Sequence, residues 1–321
     1  MTNQPETSTI RPAHWSDFTG QPQIVKSLQI AIQAAKSRQE PMEHTLLYGP
    51  PGLGKTTLAH IIANEMGVNI KITSGPALTH AGDLASILTA LEPGDVLFID
   101  EIHRLNKPVE EALYPAMEDF AIDIILGKGP AAKNLRLDLN PFTLIGATTQ
   151  AGKISSPLRD RFGIVHRLRF YEPTELQGII LKAAKKLNLK LDEDSALEIA
   201  KRSRGTARIA LKLLRRVRDF NLVEHDSKSS LDITKQSLEF YEVDDEGLDA
   251  TDRRLLEAII DQYRGGPVGL ETLAALISES VDTITDLYEP YLLQSGFLSK
   301  TAKGRVATDR AYEHLGKTKV S

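Results

Sequence analysis

The octapeptide Gly49-Pro50-Pro51-Gly52-Leu53-Gly54-Lys55-Thr56 constrains what this chain can fold into more than any other segment. It satisfies G-x-x-x-x-G-K-[ST] at every position. Its glycines let backbone N–H groups turn toward phosphate oxygens. The helix that follows offers its positive N-terminal end to the same anion. Such a loop needs a buried strand before it and a helix after it. Thr45-Leu46-Leu47-Tyr48 reads as that strand, and Thr57 to Met66 as that helix. In this pattern Lys55 reaches the β- and γ-phosphates of a nucleotide, and the Thr56 hydroxyl ligates Mg²⁺. Gly52, Gly54 and Thr57 belong to the same cradle.

A phosphate loop also needs a metal-side carboxylate at the end of an apolar strand. Val96-Leu97-Phe98-Ile99 is such a strand, and Asp100-Glu101 follows it. The first carboxylate suits the Mg²⁺ shell. The second can polarise a water for in-line attack on the γ-phosphate. Phe142 to Ala147 reads as a third strand and Arg167 to Phe170 as a fourth, with helical stretches between, among them Pro22 to Ser37. Strands alternating with helices predict a parallel sheet covered on both faces.

The remaining length has to be accounted for. At 321 residues the chain holds two or three domains. From about Pro173 the strand signal stops, and residues 174–240 read as helices only, rich in basic residues from Lys182 to Arg218. Val243-Asp244-Asp245-Glu246-Gly247 is acidic and ends in glycine, which reads as a linker. Three helical patterns follow, Ala250–Tyr263, Leu270–Ile277 and Val281–Leu293. Then come two short strand-like pieces around Lys303-Gly304, the pattern of a winged helix. The expected fold is therefore α/β with three parts. A P-loop parallel-sheet domain spans 1–171, a small all-helical lid 172–243, and a C-terminal winged-helix domain 244–321.

Composition excludes several chemistries. The absence of cysteine removes disulfides, thiolate zinc sites, iron–sulfur clusters and cysteine nucleophiles. No run of ~18 apolar residues exists to span a membrane, and residues 1–13 lack the apolar core of a signal peptide. The cytoplasm is the expected address. The net charge of −4 gives no global attraction to nucleic acid, so DNA binding requires a local basic patch.

Four further segments make the chain resemble the RuvB family of AAA+ motors from Arg11 onward. They are Asp100-Glu101-Ile102-His103-Arg104-Leu105, Leu113-Tyr114-Pro115-Ala116-Met117-Glu118-Asp119, Ser155 through Gly163, and Gly296-Phe297-Leu298 with Thr301, Gly304-Arg305 and Ala307-Thr308. The resemblance implies an AAA+ ATPase using ATP/ADP and Mg²⁺. It further implies a hexameric ring acting as a DNA helicase on duplex DNA and Holliday junctions, with the junction-binding protein RuvA and the resolvase RuvC as partners.

The resemblance also assigns roles. Thr149 takes the place of the polar sensor that helps position the attacking water; Gln150 stands where arginine is expected. Arg161 takes the place of the arginine finger that reaches a neighbour's γ-phosphate, although Arg159 lies two residues away and the sequence does not separate them. Arg208 corresponds to the lid's sensor arginine, with Ala207 where the family has proline. A solvated basic helix face is the alternative reading of Arg208. Ile10, Arg11, Tyr171 and Asp119-Phe120-Ala121 are implied to line the nucleotide site, whereas chemistry alone would read Tyr171 as junction packing.

Two surfaces extend the reading. Ile122, Ile124 and Leu126 alternate on one arm of a hairpin, Leu135, Leu137 and Leu139 on the other, with Gly127-Lys128-Gly129-Pro130 as the turn. A plain motor core does not need this Ile122–Leu139 hairpin, and the resemblance makes it the docking arm for RuvA. Near the C-terminus, Lys300, Lys303, Arg305, Arg310, Lys317 and Lys319 face only Asp309 and Glu313. Lys300 and Arg305 are the implied DNA contacts; a further basic residue expected near Val281 is absent. A clamp-loader-type switch is one alternative, but such subunits generally end in a helical collar. A protein-remodelling ATPase is the other. It needs an aromatic pore loop, and Gly75 to Gly82 offers none.

Overall fold

The computed structural model describes residues 10–126, 133–226 and 229–319. It divides into two compact units, Met1–Asn188 with Thr206–Arg208, and Leu189–Gly205 with Ile209–Ser321.

The first unit is built on five parallel strands: β1 (Thr45–Tyr48), β2 (Ile70–Ser74), β3 (Val96–Asp100), β6 (Thr143–Thr148) and β7 (Ile164–Arg167), in the order β2-β3-β6-β1-β7. β1 lies between β6 and β7, with Thr45 opposite Ile145 on one side and Ile164 on the other. The central strands are mostly apolar because parallel strands are covered on both faces. Every residue of β6 is buried, and so are the first four of β3. Leu46, Leu97, Ile99 and Leu144 meet Leu113, Met117, Leu158 and Phe162 in one core.

The two edge strands depart from the sequence reading. β2 was not anticipated, since Ile70-Lys71-Ile72-Thr73-Ser74 is half polar and Ile72 stays exposed at the sheet edge. The fourth strand occupies Ile164–Arg167 rather than Arg167–Phe170. Its pairing with β1 starts where the Ile164 amide donates to the His44 carbonyl, 3.2 Å away. β4 (Ala121–Leu126) and β5 (Lys133–Asp138) form a separate antiparallel ribbon. Its base is anchored by buried Ile122 and Leu139, while Leu135 is exposed. The tip residues 127–132, including the expected Gly127–Pro130 turn, lie outside the described residues, as do the side chains of Ile124 and Leu126.

In the second unit, the helix Glu193–Lys201 packs on Leu231–Phe240, and Phe220 of the helix Ala207–Glu224, which begins in the first unit, lies against Phe240. After them come Ala250–Glu257, Leu270–Ile277, Glu289–Gln294 and a hairpin of β8 (Leu298–Thr301) and β9 (Gly304–Ala307). These last elements share a core that includes Leu255, Ile259, Leu273, Leu292 and Phe297. The segment that reads as a linker is clamped instead. Arg202, 1 % exposed, donates to the Val243 carbonyl (2.8 Å) and to Glu198 (2.6 Å) and Asp245 (2.5 Å). Arg204 donates to the Gly247 carbonyl at 2.7 Å and pairs with Asp249 and with fully buried Asp252. Tyr291 donates to the Glu246 carbonyl at 2.5 Å. Gly247 sits at φ 75° with the Arg202 carbonyl 2.6 Å from where a Cβ would stand, so only glycine fits. Buried arginines satisfy backbone carbonyls here that a free linker would leave to water.

Candidate functional site

Because all five strands run the same way, the first unit has two chemically different edges. The loops after β1, β3 and β6 leave the C-terminal edge; the segments leading into β1, β6 and β7 gather at the N-terminal edge. A four-residue strand separates the edges by about 13 Å.

The C-terminal edge carries the phosphate loop. Gly49, Gly52 and Gly54 stand at φ 141°, 81° and 98°, conformations that let the backbone wrap inward. A Cβ at Gly52 would lie 2.8 Å from the Cβ of Arg208, and one at Gly49 2.7 Å from the Leu168 carbonyl. The Lys55 amine is buried inside the loop and donates to the carbonyls of Gly49 (2.8 Å) and Pro50 (2.9 Å). Burial pushes its pKa down to about 8; the Asp100 carboxylate opposes that fall and the Arg208 guanidinium adds to it. The loop is thus a cradle with a positive charge held in it, the chemistry a triphosphate fits. Half-buried Thr56 and Asp100 offer one hydroxyl and one carboxylate. That suits Mg²⁺, which keeps waters and phosphate oxygens as its other ligands. Among the described residues no three His, Cys, Asp or Glu side chains cluster into a dedicated metal cage.

Asp100 ends β3, and its Oδ1 accepts from the Glu101 amide at 3.0 Å. Glu101 is left-handed, φ 47°, which swings its side chain out of the strand direction. Its carboxylate lies 3.1 Å from Arg104 on the surface. Gly75 comes so close to the Glu101 carbonyl that no side chain fits between them. At the end of β6, Thr148 is buried with its hydroxyl 2.9 Å from His103 and 2.9 Å from the Gln150 amide, while Thr149 is exposed one residue past the strand. The Arg208 amide donates to the Gly52 carbonyl at 3.2 Å, with its side chain exposed.

Tyr171 is buried and donates to the Leu53 carbonyl at 2.8 Å; burial pushes its phenol well above the usual range. Its ring abuts Gly20. Ile10 is buried, and Arg11 lies 2.7 Å from His60 on the helix Lys55–Met66. Tyr171 thus contacts the phosphate loop directly, and Arg11 the helix that follows it.

The N-terminal edge holds the others. Arg161 precedes the first residue of β7 by three positions and donates to the Pro157 carbonyl at 2.6 Å. Its guanidinium lies 3.2 Å from Glu118 and 4.2 Å over the Tyr114 ring. Arg159 turns instead to the Ala151 carbonyl at 2.8 Å. Asp119, Phe120 and Ala121 follow the helix Lys107–Glu118; Asp119 pairs with Arg136, and Phe120 packs on Phe142 and His44 at the starts of β6 and β1. Within one chain, therefore, Arg161 and Asp119–Ala121 are not brought to the phosphate loop but stand a strand length away from it. Sequence reasoning assigned no role to Tyr114, Glu110, Glu118 or Ser155, although three of them fall inside the motifs it singled out. The helical spacing of 110, 114 and 118 is the signal that was available.

The basic C-terminal cluster looks different in the fold than in the sequence. Arg305 is 12 % exposed and bonds both Glu289 oxygens, at 3.0 and 2.9 Å. Arg310 pairs with Glu246, Lys317 with Asp261 and Lys319 with Asp309. Three of these acids come from distant segments, which the local count missed. Lys300 is exposed, 4.0 Å from Glu289, and Lys303 stands exposed at the hairpin turn.

Three family profiles match the chain: the Holliday junction DNA helicase RuvB P-loop domain over residues 10–168, the RuvB AAA lid domain over 171–244, and the RuvB C-terminal winged helix domain over 245–316. Among solved structures, the Thermotoga maritima RuvB Holliday junction branch migration motor is 52 % identical with a TM-score of 0.87, covering 97 % of this chain and 99 % of that one. An alanine-to-serine mutant of that RuvB is 53 % identical with a TM-score of 0.88, covering 96 % and 99 %. A lysine-to-arginine mutant gives 53 % and 0.88, covering 96 % and 98 %.

The buried Lys55 charge yields a prediction. A lysine whose folded pKa lies below its unfolded value destabilises the fold at every pH below about 8, and a bound polyanion removes that cost. At pH 7 the variant Lys55→Met should therefore melt, without nucleotide, at or above the temperature of the parent chain. It should also lose the rise in melting temperature that ATP confers on the parent. Differential scanning calorimetry with and without Mg-ATP checks both.

Proposed function

The chain belongs to the RuvB family, and from that premise we propose that it is an ATP-hydrolysing DNA helicase driving branch migration of Holliday junctions in homologous recombination and DNA repair. It works as a hexameric ring on duplex DNA, with RuvA holding the junction and RuvC as a further partner. One observation carries the mechanistic part: the phosphate loop and Arg161 occupy opposite edges of one parallel sheet, so a complete site takes its two halves from adjacent subunits.

On this reading, the loop from Gly49 to Thr56 and the first turn of the helix with Thr57 bind the triphosphate of ATP, and Lys55 offsets β- and γ-phosphate charge. Mg²⁺, held by Thr56 and the Asp100 shell, would supply further neutralisation of that charge. Glu101 polarises the attacking water, which the exposed Thr149 hydroxyl helps to orient. The neighbour's Arg161 meets the charge that develops on the γ-phosphate, an effect worth about 10³- to 10⁵-fold in rate in comparable enzymes. Asp119–Ala121 shares an edge with Arg161, so its contribution to a nucleotide site is to the neighbour's. Ile10, Arg11 and Tyr171 enclose the base end, and Arg208 reports the nucleotide state to the lid. Hydrolysis then breaks the Arg208 contact and the lid moves.

The Ile122–Leu139 ribbon serves as the docking arm for RuvA, with its base anchored in the core by Ile122 and Leu139. The head contacts duplex phosphates, which gives affinity without reading sequence, as a motor requires. Lys300 and Lys303 are the accessible charges for that task. Arg305 is better read as the partner of buried Glu289 that holds the hairpin to the helix Glu289–Gln294. No helix among the described residues is long and apolar enough to cross a membrane, and a cytoplasmic address accords with work on DNA.

Mixing two inactive variants tests the shared site. Glu101→Gln and Arg161→Ala should each bind ATP and each hydrolyse it at least about 10³-fold more slowly than the parent. Mixed one to one, about a quarter of the interfaces pair an intact Glu101 with an intact Arg161, so up to roughly a quarter of the parent rate should return. Steady-state phosphate release across mixing ratios reads this out; additive, unrescued rates at every ratio refute the shared site.

The DNA reading has its own check. A plot of log affinity for duplex against log salt should lose about 0.9 of slope for each of Lys300→Ala and Lys303→Ala. Arg305→Ala should instead destabilise the head by about 3 kcal/mol, because it strands Glu289. A double Lys300→Ala, Lys303→Ala variant with unchanged slope would rule this surface out.

A further inference from the structure

Arg161 does not hang free. It rests on a face of the helix Lys107–Glu118 formed by Glu110, Tyr114 and Glu118, each four residues from the next and so stacked along one side. The adjoining side of that helix is fixed in the core by Val109, Leu113, Ala116 and Met117. The Arg161 guanidinium carbon lies over the Tyr114 ring, 4.2 Å from its centroid.

The ring is itself held. The Tyr114 hydroxyl donates to Glu110 Oε1 at 2.5 Å, and the Ser155 hydroxyl donates to the same oxygen at 2.5 Å. Ser155 also caps the short helix Ser156–Arg159, its Oγ accepting from the Leu158 amide at 3.2 Å. The Arg161 amide in turn donates to the Leu158 carbonyl at 3.3 Å. The ring under the side chain and the backbone that carries the side chain are thus tied to one carboxylate oxygen. At its far end the guanidinium has a weaker partner, the largely exposed Glu118 at 3.2 Å, which water screens. Arg161 Nη1 donates to the Pro157 carbonyl at 2.6 Å, while Nε is buried with no hydrogen-bond partner, so the ring face supports the group where no hydrogen bond does.

We propose that Tyr114 is the positioning residue for Arg161: its ring, braced by Glu110 and Ser155, sets the plane and reach with which the guanidinium enters the neighbouring subunit's nucleotide site. The inference rests on the shared-site reading above and adds to it a residue that touches no nucleotide. Glu118 is the partner exchanged for phosphate when the subunits meet, whereas the ring stays beneath the guanidinium in both states. Misplacing a catalytic group by about 1 Å can cost 10²-fold, so loss of the ring should be felt in turnover and hardly in ATP binding.

Tyr114→Leu should lower kcat about 10- to 100-fold with KM for ATP within about twofold of the parent. Tyr114→Phe, which keeps the ring, should restore most of that loss. Glu110→Gln, a second variant that leaves ring and core in place, should fall between them. Calorimetry on each variant shows that it is folded. The mixing assay then separates positioning from a general structural effect. In rings of Glu101→Gln and Arg161→Ala chains, placing Tyr114→Leu on the Glu101→Gln chain, the one that donates Arg161, should cut rescue about 10- to 100-fold. Placing it on the Arg161→Ala chain should leave rescue intact. Equal loss in both placements, or loss in neither, overturns the proposal. Should the parent mixture show no rescue, the shared site itself has failed. The kcat-against-KM split of Tyr114→Leu and its recovery in Tyr114→Phe then decide the role of Tyr114 alone: a raised KM or no recovery by phenylalanine overturns it.

Discussion

The uniform direction of five hydrogen-bonded strands organises everything else in the first unit. In a parallel sheet each crossover helix returns the chain to the same starting edge, so the two edges collect different segments. The edge where strands end gathers backbone N–H groups, a buried ammonium and the Asp100-Glu101 pair. The edge where strands begin gathers Glu43, His44, Phe142 and the turn that carries Arg161. No rotamer change carries a guanidinium across the length of a strand, so on the proposed reading the two halves of the chemistry fall to two molecules. A motor gains from that division, because a site completed by a neighbour makes each turnover depend on how adjacent subunits sit.

The same economy of parts governs what holds each half still. On the loop side, glycines at 49, 52 and 54 let the chain fold tightly around Lys55, and the cost of burying that charge is offset when an anion arrives. On the arginine side, the helix Lys107–Glu118 is pinned by its apolar face, and its polar face supports the guanidinium. In the second unit, Arg202 and Arg204 fill the junction between the lid helices and the head with charge-assisted bonds to backbone carbonyls. A swing of the lid helices can therefore be passed to the winged helix without being absorbed in a loose connection.

Much of this was legible in the sequence where the signal was local. The phosphate loop, the strands β1 and β3 and the Asp100-Glu101 pair each follow from a few adjacent residues whose types admit few conformations. The edge strands were not legible in the same way. β2 is half polar, and both Lys71 and the apolar Ile72 stay exposed at the sheet edge, so no buried face marks it; β7 took its register from β1 rather than from its own composition. The helix patterns from Ala250 to Leu293 were readable as amphipathic runs, but Val243–Gly247 was not readable as a clamped segment. Its partners Arg202 and Arg204 are forty residues upstream and look like any basic helix end. Charge counting failed for the same reason at the C-terminus, where Glu246, Asp261 and Glu289 arrive from elsewhere to neutralise residues that seem free in a linear count. Motif membership flagged Tyr114, Glu118 and Ser155; only the fold shows that they converge on one arginine.

A site divided between subunits makes hydrolysis depend on association. The most direct test measures ATPase rate per chain and mass distribution on the same dilution series at saturating Mg-ATP. The account predicts that turnover per chain falls with the population of assembled rings and vanishes with the last oligomer. Undiminished turnover by a preparation that mass photometry finds entirely monomeric would contradict it.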